Sequence, residues 1–125
     1  MAYRVFITAS AKMRLDEYIW YTAKVLKNPI AARRIREDAR ITKKLLSETA
    51  EIPQILNNPT LAQYGYRKFR FQEHGFVMIY RIDGNMVIIE GMFHELQDYE
   101  SVFIDELNLY KTIFNKIGLP KGSLT

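Results

Sequence analysis

The 125-residue chain contains no cysteine, which excludes disulfide frameworks, cysteine-rich metal sites and thiol nucleophiles together. No apolar run approaches the roughly 18 residues needed to cross a bilayer as a helix, so no membrane association is expected. The opening residues, MAYRVFITASAK, alternate polar and apolar types and lack the apolar core of a signal peptide. A cytoplasmic location follows as an expectation. No internal repeat, low-complexity segment, glycine-rich phosphate loop, metal-ligand cluster or nucleophile–base pair stands out. Neither a cofactor nor a metal is therefore expected.

What is present describes an ordinary globular chain. Hydrophobic residues make up 48% and charged residues 26%, enough to build a core without covalent staples, and the length suits one domain spanning 1–125. The formal net charge is +4. That excess fits attraction to nucleic acid, a ribosome or an acidic protein, and equally fits plain solubility.

Pattern along the chain predicts the elements. Tyr3 to Thr8 is β-branched and aromatic, a short strand. Thr8 or Ser10 caps a helix running to about Leu26, with Leu15, Tyr18, Ile19, Thr22, Val25 and Leu26 on one apolar stripe. Asn28-Pro29 stops it and starts a second helix to about Thr49, burying Ala32, Ile35, Ala39, Thr42, Leu45 and Leu46. So short a connection makes the pair an αα-hairpin. Residues Glu51 to Gln63 read as a loop. Strands follow at Tyr66 to Gln72, Phe76 to Ile82 and Met86 to Phe93, with turns at Glu73-His74-Gly75 and Asp83-Gly84-Asn85. They form an antiparallel meander. A last helix carries an apolar seam at Phe103, Leu107, Tyr110, Phe114 and Ile117, stops at Gly118-Leu119-Pro120, and leaves Lys121 to Thr125 frayed. The class is α+β, in the order β-α-α-β-β-β-α.

Within that order lie NPIAARRI from Asn28, Gly65-Tyr66-Arg67, Tyr80-Arg81, Asp83-Gly84-Asn85, His94 and Asp98-Tyr99. Each piece is short, but together and in sequence they are fairly specific. On them the chain resembles the RelE/ParE toxin superfamily of type II toxin–antitoxin systems over about residues 3 to 103, closer to the ParE-like branch. The helix from about 103 to 117 extends beyond that shared core. The resemblance implies a sheet curled around the helical hairpin, and arrest of bacterial growth until an antitoxin binds. It implies one of two targets: ParE-like members poison DNA gyrase, while RelE-like members cleave messenger RNA in the ribosomal A site. A third alternative is a non-toxic relative that keeps only a scaffold or antitoxin-binding role.

Metal-free RNA cleavage needs a general base, a general acid and clustered cations. Arg67, Arg81, His94 and Tyr99 are the candidate catalytic residues, to be considered only if the chain is a nuclease. Laid on the RelE pattern, Arg67 keeps one basic position, but three others fall at Phe69, Val77 and Leu96, which neither stabilise an anion nor move a proton. That departure favours a protein-binding toxin. Strand alternation puts Lys68 and Arg70 on one face with Tyr66, and Arg67 on the other with Phe69 and Phe71. Arg67 and Arg81 also have a structural reading, paired with Glu90, Asp98 or Glu100. His94 reads equally as a strand-ending residue bonded to the chain, His74 as a solvated turn residue, and Tyr99 as packing against the next helix. Lys68, Arg70, Arg33, Arg36 and Arg40 are candidates for binding a target or an antitoxin, the last three otherwise forming a solvated helix face. The C-terminal seam either packs back on the sheet, joins a homodimer or fills an antitoxin groove. Self-packing is favoured, because an exposed stripe of that size is a liability.

Overall fold

The computed structural model describes residues 2–116, with side chains through residue 109. Its elements are β1 (Arg4–Ile7), α1 (Ala9–Trp20), a π-helical turn (Tyr21–Val25), α2 (Pro29–Thr49), α3 (Pro59–Ala62), β2 (Arg67–Arg70), β3 (Phe76–Asp83), β4 (Met86–His94) and α4 (Tyr99–Lys116). The α+β class holds, as does the predicted order apart from the added short helix α3, with a C-terminal helix beyond a single four-stranded sheet.

Local chemistry explains the boundaries. The Thr8 hydroxyl accepts the Ala11 N–H to cap α1, and the Asn28 side chain accepts the Ala31 N–H ahead of Pro29. The β3–β4 hairpin turns at Gly84, whose φ of 61° lies in the left-handed region open to glycine. Strands β2, β3 and β4 pair antiparallel as the expected meander. Strand β1 then adds to the far side of β4 in parallel, giving the order β1-β4-β3-β2. Parallel pairing requires a long crossover, and the helical hairpin supplies part of it.

Both faces of the sheet are covered at its central strands, while Arg4 and Phe6 of β1 stay exposed. On one, α1 and α2 pack Leu15, Ile19, Ile35, Ala39 and Leu46 against Phe71, Phe76, Met78, Tyr80, Val87, Ile89 and Met92. On the other, Leu56, Leu61, Tyr66, Val77, Ile79 and Phe93 enclose Phe103 of α4. The pairing slips by one residue between Ile79 and Tyr80, where Glu90 and Gly91 of β4 share the turn of the ladder. The slip sets both residues on the α4 side. Gly91 is needed there: an added Cβ would come within 2.7 Å of the Phe93 ring and 3.3 Å of Phe103.

Several expectations need correction. The predicted loop at 51–63 contains α3, started by Asn58 and Pro59 with the same Asn-Pro signal as α2, and Ile55 bridges to Arg67. The first helix does not run regularly to Leu26. Beyond Trp20 it widens to a π turn, with the Leu26 N–H donating to the Tyr21 carbonyl, and Val25 and Leu26 come out exposed. Strand β2 is shorter than 66–72, because residues 71–75 are drawn into a turn around Asp38. The last helix starts at Tyr99, and the first seam residue, Phe103, is buried on the sheet as the self-packing reading expects. The side chains of Tyr110 and Phe114, and Ile117, the Gly118-Leu119-Pro120 stop and the tail at 121–125, lie outside what is described. Among the described residues, no helix is long and apolar enough to cross a membrane.

Candidate functional site

The sheet's two faces decide which candidate residues can act together. Cross-strand neighbours share a face, so Arg67, opposite Tyr80, lies on the hairpin side, while Lys68 opposite Ile79 and Arg70 opposite Val77 lie on the α4 side. Arg81 is opposite Ile88 and also faces α4. His94 is opposite Phe76, on the hairpin side, with the rings edge to face at 5.3 Å. Tyr99 stacks on Phe93 on the α4 side. Arg67 and His94 thus sit on one face, and Arg81 and Tyr99 on the other. The four do not converge on one point.

Each is also engaged. The Arg67 guanidinium donates to the carbonyls of Glu51 and Pro53 at 2.9 and 2.7 Å, tying β2 to the chain after α2. Its partners are backbone carbonyls rather than the carboxylates that strand alternation suggested. Arg81 does pair with a carboxylate, Glu90, the bulge residue. Glu90 also accepts from the Tyr66 hydroxyl at 3.0 Å. Burial first, then the neighbouring Glu90 charge, pushes the Tyr66 phenol well above its ordinary range. It stays a neutral donor. His94 accepts the Leu96 N–H through Nδ1 at 3.2 Å, and the His94 N–H donates to Gln97. The Tyr99 hydroxyl accepts from Lys68 at 3.0 Å.

Arg81→Ala tests the structural role. It leaves Glu90 with Tyr66 alone in a mostly buried position, and the expected loss is about 1.5–3 kcal/mol, as for hydrogen bonds to charged groups. Urea unfolding of Arg81→Ala and of the double variant Arg81→Met/Glu90→Leu measures it. The double variant should recover much of the loss, since it removes both charges rather than stranding one.

The remaining basic candidates are dispersed. Arg70 pairs with Glu95 at 2.7 Å, and that hydrogen bond holds the Glu95 carboxyl below its ordinary value. Arg40 pairs with Glu37 one turn back on α2, while Arg33 and Arg36 are exposed. Of these, Lys68 and Arg70 border the α4-covered face, which Arg81 also faces.

Sequence reading missed two features. One is Asp38, buried on α2, whose carboxylate accepts the consecutive N–H groups of Gln72, Glu73 and His74, the Thr42 hydroxyl, and a contact of 2.6 Å from His74 Nδ1. His74 is therefore no solvated turn residue but half of this clasp. An acid four residues before a threonine on the buried stripe was the available signal. The other is the outward set Trp20, Tyr21, Val25, Leu26 and Ile30 at the hairpin tip, which helical periodicity had partly assigned to the core. Among the described residues, no group of three or more His, Cys, Asp or Glu side chains is placed to hold a metal ion.

Against known protein families, residues 5–99 match the model described as the ParE toxin of the type II toxin–antitoxin system parDE. Among solved structures, the chain is similar to one titled as the chromosomal ParDE toxin–antitoxin system from P. aeruginosa. That likeness has a TM-score of 0.61 at 20% identity, over 74% of this chain and 96% of the other, and is one of fold. No curated protein matches the sequence.

Proposed function

As the chain belongs to the family of ParE toxins of type II toxin–antitoxin systems, we propose that it arrests bacterial growth by binding an essential protein such as DNA gyrase. In this reading it works in the cytoplasm as one domain, without a catalytic centre, and a cognate antitoxin neutralises it. The observation that carries the proposal is the division of Arg67 and His94 from Arg81 and Tyr99 across the sheet. Acid–base cleavage requires donor, acceptor and cations within hydrogen-bond reach of one phosphate. Four side chains on opposite faces of a packed sheet do not meet that condition. The apolar Phe69, Val77 and Leu96 support the same reading.

A protein-binding toxin needs a stable scaffold and an accessible surface rather than tuned protonation. The covered sheet supplies the first, and exposed side chains on the helical hairpin supply the second. The direct test titrates purified protein into a gyrase supercoiling reaction, with and without its antitoxin. Dose-dependent inhibition relieved by stoichiometric antitoxin is expected. Full supercoiling activity at saturating toxin would rule out gyrase as the target.

A further inference from the structure

The helical hairpin ends in a tip that is apolar on its outer side. Trp20, Tyr21, Val25, Leu26 and Ile30 fall within eleven residues and are each 49 to 59% exposed. Single exposed apolar residues are ordinary, but a group of this size marks an interaction surface. The π turn brings Val25 and Leu26 into it. Continued as a regular helix, the stripe through Leu15, Tyr18, Ile19 and Thr22 would carry Val25 and Leu26 into the core. The wider turn rotates them outward instead.

The tip is also fixed in shape. The Asn28 N–H donates to the Thr22 carbonyl, the Thr22 hydroxyl to the Tyr18 carbonyl, and the Asn28 side chain caps α2. Lys27 is held at a φ of 53°, a left-handed conformation unfavourable for a residue with a Cβ. A surface held in this way loses little freedom when it is bound.

Its charge has one sign. Between Glu17 and Glu37 the chain carries Lys24, Lys27, Arg33, Arg34 and Arg36 and no acidic residue. All five are exposed, and none enters an ion pair among the described residues. A second copy of the chain would set like charges against each other. Val25, Leu26 and Ile30 add apolar area that phosphate contacts alone would not use.

We propose that this tip is where the toxin docks its protein target, and that the target meets it with an acidic segment carrying apolar side chains. The inference rests on the protein-binding reading above and names the surface that performs it. A tip used by the target alone makes target binding and antitoxin binding separable by mutation.

The experiment measures binding of purified gyrase holoenzyme, free of DNA, to the full chain and to Leu26→Glu/Ile30→Glu. Antitoxin affinity and circular dichroism are measured on the same samples. The expected result is target binding weakened about tenfold or more, with antitoxin affinity and fold unchanged. Should that variant misfold, Lys24→Glu/Arg34→Glu tests the charge half alone and should weaken target binding and its rate of association. Unchanged gyrase binding by a folded variant overturns the inference and leaves the proposed function standing. Loss of antitoxin binding instead overturns it too, as does wild-type binding to phosphatidylserine vesicles or duplex DNA that the substitutions abolish. Absence of gyrase binding by the wild-type chain overturns the inference and the gyrase reading together.

Discussion

Asp38→Ala should lower the free energy of unfolding by about 3–5 kcal/mol, the range for stripping one partner from a buried charged network. The carboxylate is 3% exposed and gathers the Gln72, Glu73 and His74 N–H groups, the Thr42 hydroxyl and the His74 ring. Without it, three backbone donors lose a charged acceptor at a site water reaches poorly. The turn between β2 and β3 would also lose its tie to α2. Burial alone would raise the Asp38 pKa, but the hydrogen bonds from His74, Glu73 and Thr42 outweigh it and hold the carboxyl below its ordinary 3.8. The sign of the pH effect follows. The contribution of ionised Asp38 is fully present above 3.8 and is lost as pH falls through its lower folded value. Urea unfolding across pH 2 to 7 should show the variant less stable at neutral pH, with the gap narrowing in acid. A constant gap, or none, would contradict this account of the clasp.

Phe103→Ala comes next in size, with an expected loss of about 3–5 kcal/mol for a buried phenylalanine. Phe103 is 1% exposed, stands edge-on to Tyr66 at 5.0 Å and to Phe93 at 6.2 Å, and rests over Gly91. Among the described residues of α4 it is the one fully buried apolar side chain. Other ties of α4 include the partly solvated Arg14–Glu106 ion pair, the Lys68–Tyr99 hydrogen bond at 3.0 Å and the stacking of Tyr99 on Phe93, each weak beside a buried aromatic ring. The variant should therefore release α4 from the sheet as well as lower stability. Limited proteolysis near residues 98–109, alongside denaturant unfolding, reads both effects. A loss below about 1 kcal/mol would show that the surrounding residues close over the cavity.

Much of the fold was legible because its signals are local. Asn28-Pro29, the Gly84 turn and the strand alternation that sorted Arg67 from Lys68 and Arg70 are each set by neighbouring residues. The errors lie where tertiary context decides. Nothing in the order of residues after Trp20 announces that the helix widens, so periodicity alone points Val25 and Leu26 inward. The α3 turn carried a readable Asn-Pro signal, but four residues are too few for periodicity to mark. For the candidate site, the apolar Phe69 and Val77 already argued against a nuclease centre. That His94 faces the hairpin while Arg81 faces α4 depends on the one-residue slip at Glu90, and such slips leave little trace in a single sequence. Asp38 was hidden for a related reason: its partners are backbone N–H groups more than thirty residues away.

The proposed mode of action is binding of a protein target, not cutting of RNA. Purified protein incubated with programmed ribosomes, with the message then mapped by primer extension, tests it most directly. The account predicts intact message at protein concentrations that arrest growth when the chain is expressed. Message cut in the A site, and spared when His94 and Arg81 are changed to alanine, would contradict it.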